Sequence, residues 1–199
     1  MDSEQPLESQ ATESIHGSIE TIMQVLEQLP PSIELGAAQL VQCLLNEKKI
    51  LCCGLGSNAA LSQLFTGNLL NRFHYERPSL PVVNLNAEAA VITAIATDSS
   101  FHDIYSHQIR ALGQPGDVLL LIANNSANPL LQAIQSAHDR EMTVVALNNL
   151  ESPHISALLQ PEDTELTVPS SNRARTAEAH LLIIHCLCEL IDQQLFGGF

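Results

Sequence analysis

At 199 residues with 45% hydrophobic content, the chain is long enough for one sizeable core and short for two domains. Its formal charge of −14, with only 8 Lys and Arg against 22 Asp and Glu, argues against direct binding to nucleic acid or to an anionic membrane, since both need a cationic surface. The five cysteines, Cys43, Cys52, Cys53, Cys186 and Cys188, lie in apolar runs without a C-x-x-C pair, the pattern of buried thiols in a reducing compartment.

The beginning, Met1 to Gln10, has neither a basic nor an apolar leader, and no later segment offers the ~18 apolar residues of a membrane span, so a cytoplasmic protein is expected. After this polar start, Ile15, Ile19, Ile22, Met23, Leu26 and Leu29 recur at steps of three and four, predicting an amphipathic helix stopped by Pro30 and Pro31. Ser32 is placed to cap a second helix carrying Ile33, Ala37, Leu40, Val41, Leu44 and Leu45. Residues 1–31 read as a tail and an amphipathic helix for oligomer contact, and 32–199 as a single domain. Two apolar-faced helices ahead of a complete α/β unit carry more apolar surface than one small domain covers, which points to subunits packing together.

Five apolar runs follow, at 50–53, 81–85, 118–122, 143–147 and 165–168, with helical stretches expected near 59–73, 87–96, 102–111, 129–140 and 155–159, and a last helix over 175–195. The first, third and fourth runs are near-continuous, as parallel strands covered on both faces are. The expected architecture is a doubly wound, three-layer α/β/α domain on a five-stranded parallel sheet, flavodoxin-like, preceded by N-terminal helices.

Residues 49–60, Lys-Ile-Leu-Cys-Cys-Gly-Leu-Gly-Ser-Asn-Ala-Ala, read as a buried strand, a small-residue turn and a helix, an arrangement that lets backbone N–H groups hold an anion. It is a poor dinucleotide fingerprint, because the third glycine is Ala59 and the next strand delivers no acidic residue for a ribose; no cofactor is expected. At the end of the third run Asn128 is placed as a cap and Pro129 as the first helical residue. In an open parallel sheet, ligands sit beyond the strand C-termini, so Ser57, Asn58, Asn124, Asn125 and Ser126 should share one crevice. These neutral donors suit a sugar or a phosphate, and they are also ordinary turn and capping residues. The helix after the glycine turn has no carboxylate, histidine or thiol across 61–70, so the place for an acid and a base is apolar or amide.

His180 and His185 are five residues apart, about 140° around a helix, and cannot chelate one metal from the same face. Glu178, His185 and Glu189 share a side, where a histidine satisfied by a neighbouring carboxylate is the simpler reading; no metal site is expected, and His185 would be its one recognisable ligand. The other histidines show no ligand spacing. Leu195 and Phe196, followed by Gly-Gly-Phe, are anchors for a protein contact or packing for the last helical turn.

Cys53-Gly-Leu-Gly-Ser57, Asn71-Arg-Phe73, Glu76-Arg-Pro-Ser-Leu-Pro81, Gln108-Ile-Arg-Ala-Leu-Gly-Gln-Pro-Gly-Asp-Val-Leu-Leu120, His138-Asp-Arg-Glu-Met142, Val168-Pro-Ser170 and His185-Cys-Leu-Cys-Glu-Leu-Ile-Asp192 together resemble the sugar isomerase (SIS) domain family, within it the phosphoheptose isomerase branch, over about 12–196. The resemblance implies that active relatives convert sedoheptulose 7-phosphate with a zinc site and an acid/base pair. Their His and Glu fall at positions that read Leu64 and Asn68 here, and their Gln at Ala177, leaving His185 alone of the four. Leucine, asparagine and alanine cannot take and return a proton. Where the family has Ser-Thr-x-Gly-Asn-Ser, this chain has Ala123-Asn-Asn-Ser-Ala-Asn128, and its first loop has Leu55 and Ser57-Asn58; Ser170 and Ser171 complete the ligand-facing positions that the resemblance implies. It further implies, through noncatalytic members, a homotetramer that binds a DnaA-type replication initiator and promotes its assembly at the origin, with Leu195 and Phe196 as the contact. The alternatives are a phosphoheptose isomerase with a rearranged site and a regulator that binds a sugar phosphate without converting it.

Overall fold

The computed structural model describes residues 7–197. The polar start through Pro6 and the final Gly198 and Phe199 lie outside the described residues. In chain order the elements are α1 (Leu7–Gln28), α2 (Pro30–Leu45), β1 (Ile50–Gly54), α3 (Asn58–Leu70), β2 (Val82–Asn84), α4 (Ala89–Asp98), α5 (Ser106–Leu112), β3 (Val118–Ile122), α6 (Asn128–Asp139), β4 (Thr143–Asn149), α7 (Pro153–Ser156), β5 (Thr164–Val168) and α8 (Arg173–Phe196), with a 3-10 turn at Phe101–Asp103.

All five strands are parallel, in the order β2-β1-β3-β4-β5, which is the expected doubly wound sheet. Alternate strand residues feed two separate cores. Ile50, Cys52, Val118, Leu120, Ile122, Val145 and Leu147 point to the face covered by α2, α3 and α8, while Leu51, Cys53, Leu119, Leu121, Val144 and Ala146 point to the face of α5, α6 and α7. Burial on both faces explains why these runs are apolar throughout.

Prolines start α2: they occupy its first positions, where a missing N–H is no loss, so Ser32 lies inside the helix and does not cap it. Asn128 likewise is the first residue of α6, not its cap, and the preceding turn is closed by Asn125, whose Oδ1 accepts from Ala127 N at 3.0 Å. The apolar stripe of α1 does not face its own core. Thr21 and Val25 pack inward, whereas Ile15, Ile19, Ile22, Met23 and Leu26 are exposed. Arg175 ties α1 to α8 by donating to Ser14 O, Ser18 Oγ and Ser14 Oγ.

By length and composition α8 is long and apolar enough to cross a membrane, contrary to the expectation that no such segment exists. Its Ala179, Ile183, Ile184, Leu187 and Ile191 are buried against the sheet face, which accounts for its apolar character. Of the five free cysteines four are buried, and Cys186 is half-buried.

Candidate functional site

The sheet order reverses between β1 and β3, so their C-terminal ends open the crevice where an α/β fold binds ligands. Gly54 ends β1 where a Cβ would meet the Asn58 carbonyl oxygen at 2.5 Å, and Gly56 has φ +63; both positions need glycine for the turn to close. The turn is clamped from the segment just after β2. Asn86 Oδ1 accepts from Gly54 N at 3.0 Å and Ser62 Oγ at 3.1 Å, and its Nδ2 donates to Gly54 O at 3.0 Å and Tyr105 Oη at 2.7 Å. Tyr105 Oη in turn donates to Gly54 O at 2.8 Å, and burial pushes this phenol well above its ordinary range.

The expected ligand residues are only partly brought together. Ser57 is exposed on the turn; Asn58 is 1% exposed and neither polar atom of its side chain has a partner among the described residues. Asn124, Asn125 and Ser126 lie half-buried after β3, beside the turn, but Asn125 is engaged with Asn124 and Ala127, and Ser126 Oγ accepts from His154 N at 3.2 Å. Ser170 and Ser171 follow β5, two strands from β3 and about 10 Å across the sheet. Local bonds also occupy the first N–H groups of α3: Asn58, Ala59 and Ala60 donate to Leu55, Gly56 and Ser57 carbonyls at 3.1–3.3 Å.

At the positions that the family resemblance gives to an acid/base and metal set, Leu64 is exposed and Ala177 half-buried, and the Asn68 amide donates to Cys188 Sγ at 3.8 Å. His185 lies against the Phe73 ring, centroids 5.6 Å apart, while Glu178 pairs with Arg175 at 3.2 Å. Of the two carboxylates expected on the His185 side, Glu178 therefore serves an arginine. His180 is fully buried with Nε2 donating to Asn148 O at 3.1 Å, and burial lowers its pKa to about 4. Among the described residues no three His, Cys, Asp or Glu side chains are grouped to hold a metal ion. With an alkyl group, an amide committed to sulfur and a methyl at three positions, the residues do not fit a zinc site.

A model of the SIS domain matches residues 15–149. The chain belongs to the SIS domain family. It is 51% identical over 185 residues to a phosphoheptose isomerase of Chromohalobacter salexigens, covering 92% of this chain and 93% of that one. It is 48% identical over 180 residues to the DnaA initiator-associating protein DiaA of Pectobacterium atrosepticum, covering 90% and 92%. The solved structure of a phosphoheptose isomerase from Francisella tularensis superposes with a TM-score of 0.92 at 38% identity, covering 95% of this chain and all of that one. The SIS fold is thus kept along the whole domain.

Sequence reasoning did not single out Asn86, Tyr105 or Arg77, although all three organise this end of the domain. Arg77 donates from Nε to Asp192 Oδ1 at 2.9 Å, from Nη2 to Asn68 O at 2.7 Å and from Nη1 to Leu69 O at 2.6 Å, capping the last turn of α3 and pinning it to α8. The one signal for Arg77 is its place in the Glu-Arg-Pro run, an ionic residue just after a helix stop. Leu195 and Phe196 are half-buried and pack against the core under α8, leaving part of each side chain at the surface.

Proposed function

We propose that this SIS-domain protein is a noncatalytic adaptor, DiaA-like, that binds a DnaA-type replication initiator as a homotetramer in the cytoplasm and promotes its assembly at the origin. One observation carries the reading: the fold of the isomerases is retained while Leu64 and Asn68 stand where the resemblance places an ionisable His and Glu, and Ala177 where it places a polar Gln. The charge of −14 supports an action exerted through protein and not by contact with DNA. The half-exposed Leu195 and Phe196 offer apolar anchors of the kind that dominate protein interfaces. The exposed stripe of α1 supports self-association.

A second reading, isomerisation of a sugar phosphate, is favoured by the name of the relative at 51% identity. One experiment separates the two. Purified protein is assayed with sedoheptulose 7-phosphate and added zinc, and immobilised protein is used to capture purified initiator. The adaptor gives no turnover, captures the initiator, and loses capture at least tenfold in Leu195→Ala with Phe196→Ala. Measurable isomerisation removes the adaptor reading; wild-type capture that the double substitution leaves unchanged removes the assignment of the contact.

A further inference from the structure

A single buried guanidinium stands where two helices end. The Arg77 side chain, 2% exposed, donates from Nη1 to Leu69 O at 2.6 Å, Pro78 O at 3.1 Å and Asn71 O at 3.3 Å, from Nη2 to Asn68 O at 2.7 Å, and from Nε to Asp192 Oδ1 at 2.9 Å. Asn68 and Leu69 belong to the last turn of α3, and Asp192 lies one turn before the end of α8 at Phe196. Neither helix has a basic residue in its own last turn. A helix C-terminus carries orphan carbonyls and the negative end of the macrodipole, so a carboxylate near it favours fraying and a cation opposes it. Arg77 brings that cation to both ends from the segment that follows α3.

At 100° per residue, Leu195 and Phe196 stand within about 60° of Asp192 around the helix, on the side that Arg77 grips. Phe73, from the same segment as Arg77, packs against the same core as these two residues. Beyond them α8 stops at Gly197, whose φ is +84 and whose N–H reaches Gln193 O at 3.0 Å. We infer that Arg77, acting through Asp192, is the positioning residue for the partner contact of the proposed function: it keeps the last turn of α8 helical, so that Leu195 and Phe196 meet the initiator as a fixed pair. A frayed turn has to be ordered on binding, and that ordering subtracts from affinity. Arg77 is too buried to touch a partner itself, so its effect on capture passes through the helix end.

For its partner this rests on the adaptor reading; for the helix end it does not, and the two parts of the test keep them apart. The full chain is compared with Asp192→Ala, which removes the acceptor of Arg77 Nε, and with Arg77→Gln, which removes the cation. Alanine is the better helix former, so any loosening in Asp192→Ala reports the lost tether and not a poorer helix residue. Hydrogen exchange is followed at pH 7 over residues 193–197 and over 180–188. In both variants exchange over 193–197 should quicken at least fivefold while 180–188 stays as in wild type. Unchanged exchange at the end overturns the inference, and so does equal quickening of both stretches, because Arg77 would then support the whole helix.

Capture of purified initiator is measured for Asp192→Ala alone and on top of Leu195→Ala with Phe196→Ala. Alone it should weaken capture at least fivefold; on top of the alanine pair it should weaken it less than twofold, since a residue that acts through those side chains has nothing left to position. Equal losses in the two backgrounds, or no loss in either, overturn the positioning role. If wild type captures nothing, the adaptor reading fails, while exchange still decides whether Arg77 holds the end of α8.

Discussion

Asn86 shows how one amide can hold a strand-to-helix turn from outside it. Its side chain makes four hydrogen bonds, to both backbone groups of Gly54, to Ser62 and to Tyr105, and its own N–H is held by Asn84 Oδ1 at 2.8 Å. These bonds hold the β1–α3 turn from the segment just after β2. Asn86→Ala removes all four side-chain bonds and leaves the Gly54 N–H without its partner, so unfolding free energy in urea at fixed protein concentration should fall by about 2–3 kcal/mol. A change below about 0.5 kcal/mol would mean that water substitutes freely and that the turn is not held from that segment. Asn58, beside it, is the opposite case: a buried amide with no partner among the described residues.

At the scale of the element, α8 carries both the apolar face that closes one core and a histidine that must stay neutral to do so. Desolvation lowers the His180 pKa from its ordinary 6.5 to about 4, and the hydrogen bond to Asn148 O opposes that shift only in part. Between those two values the unfolded chain binds a proton that the native chain does not. Stability from this group is therefore fully present above pH 6.5 and is lost as pH falls toward 4, approaching about 1.4 kcal/mol per pH unit. His180→Gln should flatten the pH dependence of unfolding in that window relative to wild type, with little change in slope above pH 7. An identical slope in both proteins would show that His180 takes up its proton without unfolding. Such a partner was not legible in the sequence, because Asn148 is 32 residues away and offers its carbonyl, which any residue has. The strands were legible for the reverse reason: burial on both faces demands apolar residues at every position of β1, β3 and most of β4, and nothing else in a short run does. Helix starts were less so. Proline tolerates the first turn, so α2 begins at Pro30 and α6 one residue before Pro129, and the polar residues beside them are not caps. The candidate site has no pattern of its own, since Leu64, Asn68 and Ala177 are ordinary helix residues until set beside the His, Glu and Gln that the family resemblance places there.

For the whole molecule, the decisive feature is apolar surface that one protomer leaves uncovered. Ile22, Leu26, Pro30, Ile33, Leu182, Cys186 and Leu190 line a groove of about 920 Å³ between α1, α2 and α8, continuous with the exposed Ile15, Ile19 and Met23. Ile15, Ile19 and Leu26 are each more than half exposed, at 59%, 55% and 63%. A single apolar residue at the surface needs no explanation, but a stripe along a 22-residue helix joined to a groove exceeds what an isolated subunit presents to water. Burying each such side chain is worth about 1.5–3 kcal/mol, so the stripe can drive assembly while Val25 and Arg175 keep α1 seated on its own α8. Ile22→Asp with Leu26→Asp places two charges in the groove and replaces only exposed side chains. If the proposed homotetramer forms through this groove, mass in solution should fall to that of a smaller species with unchanged far-ultraviolet circular dichroism, and the proposed capture of initiator should weaken through lost multivalency with Leu195 and Phe196 unaltered. A variant with the same mass as wild type would mean that this groove does not join copies of the chain, and one that loses its helical signal would mean that the groove belongs to the fold of the subunit itself.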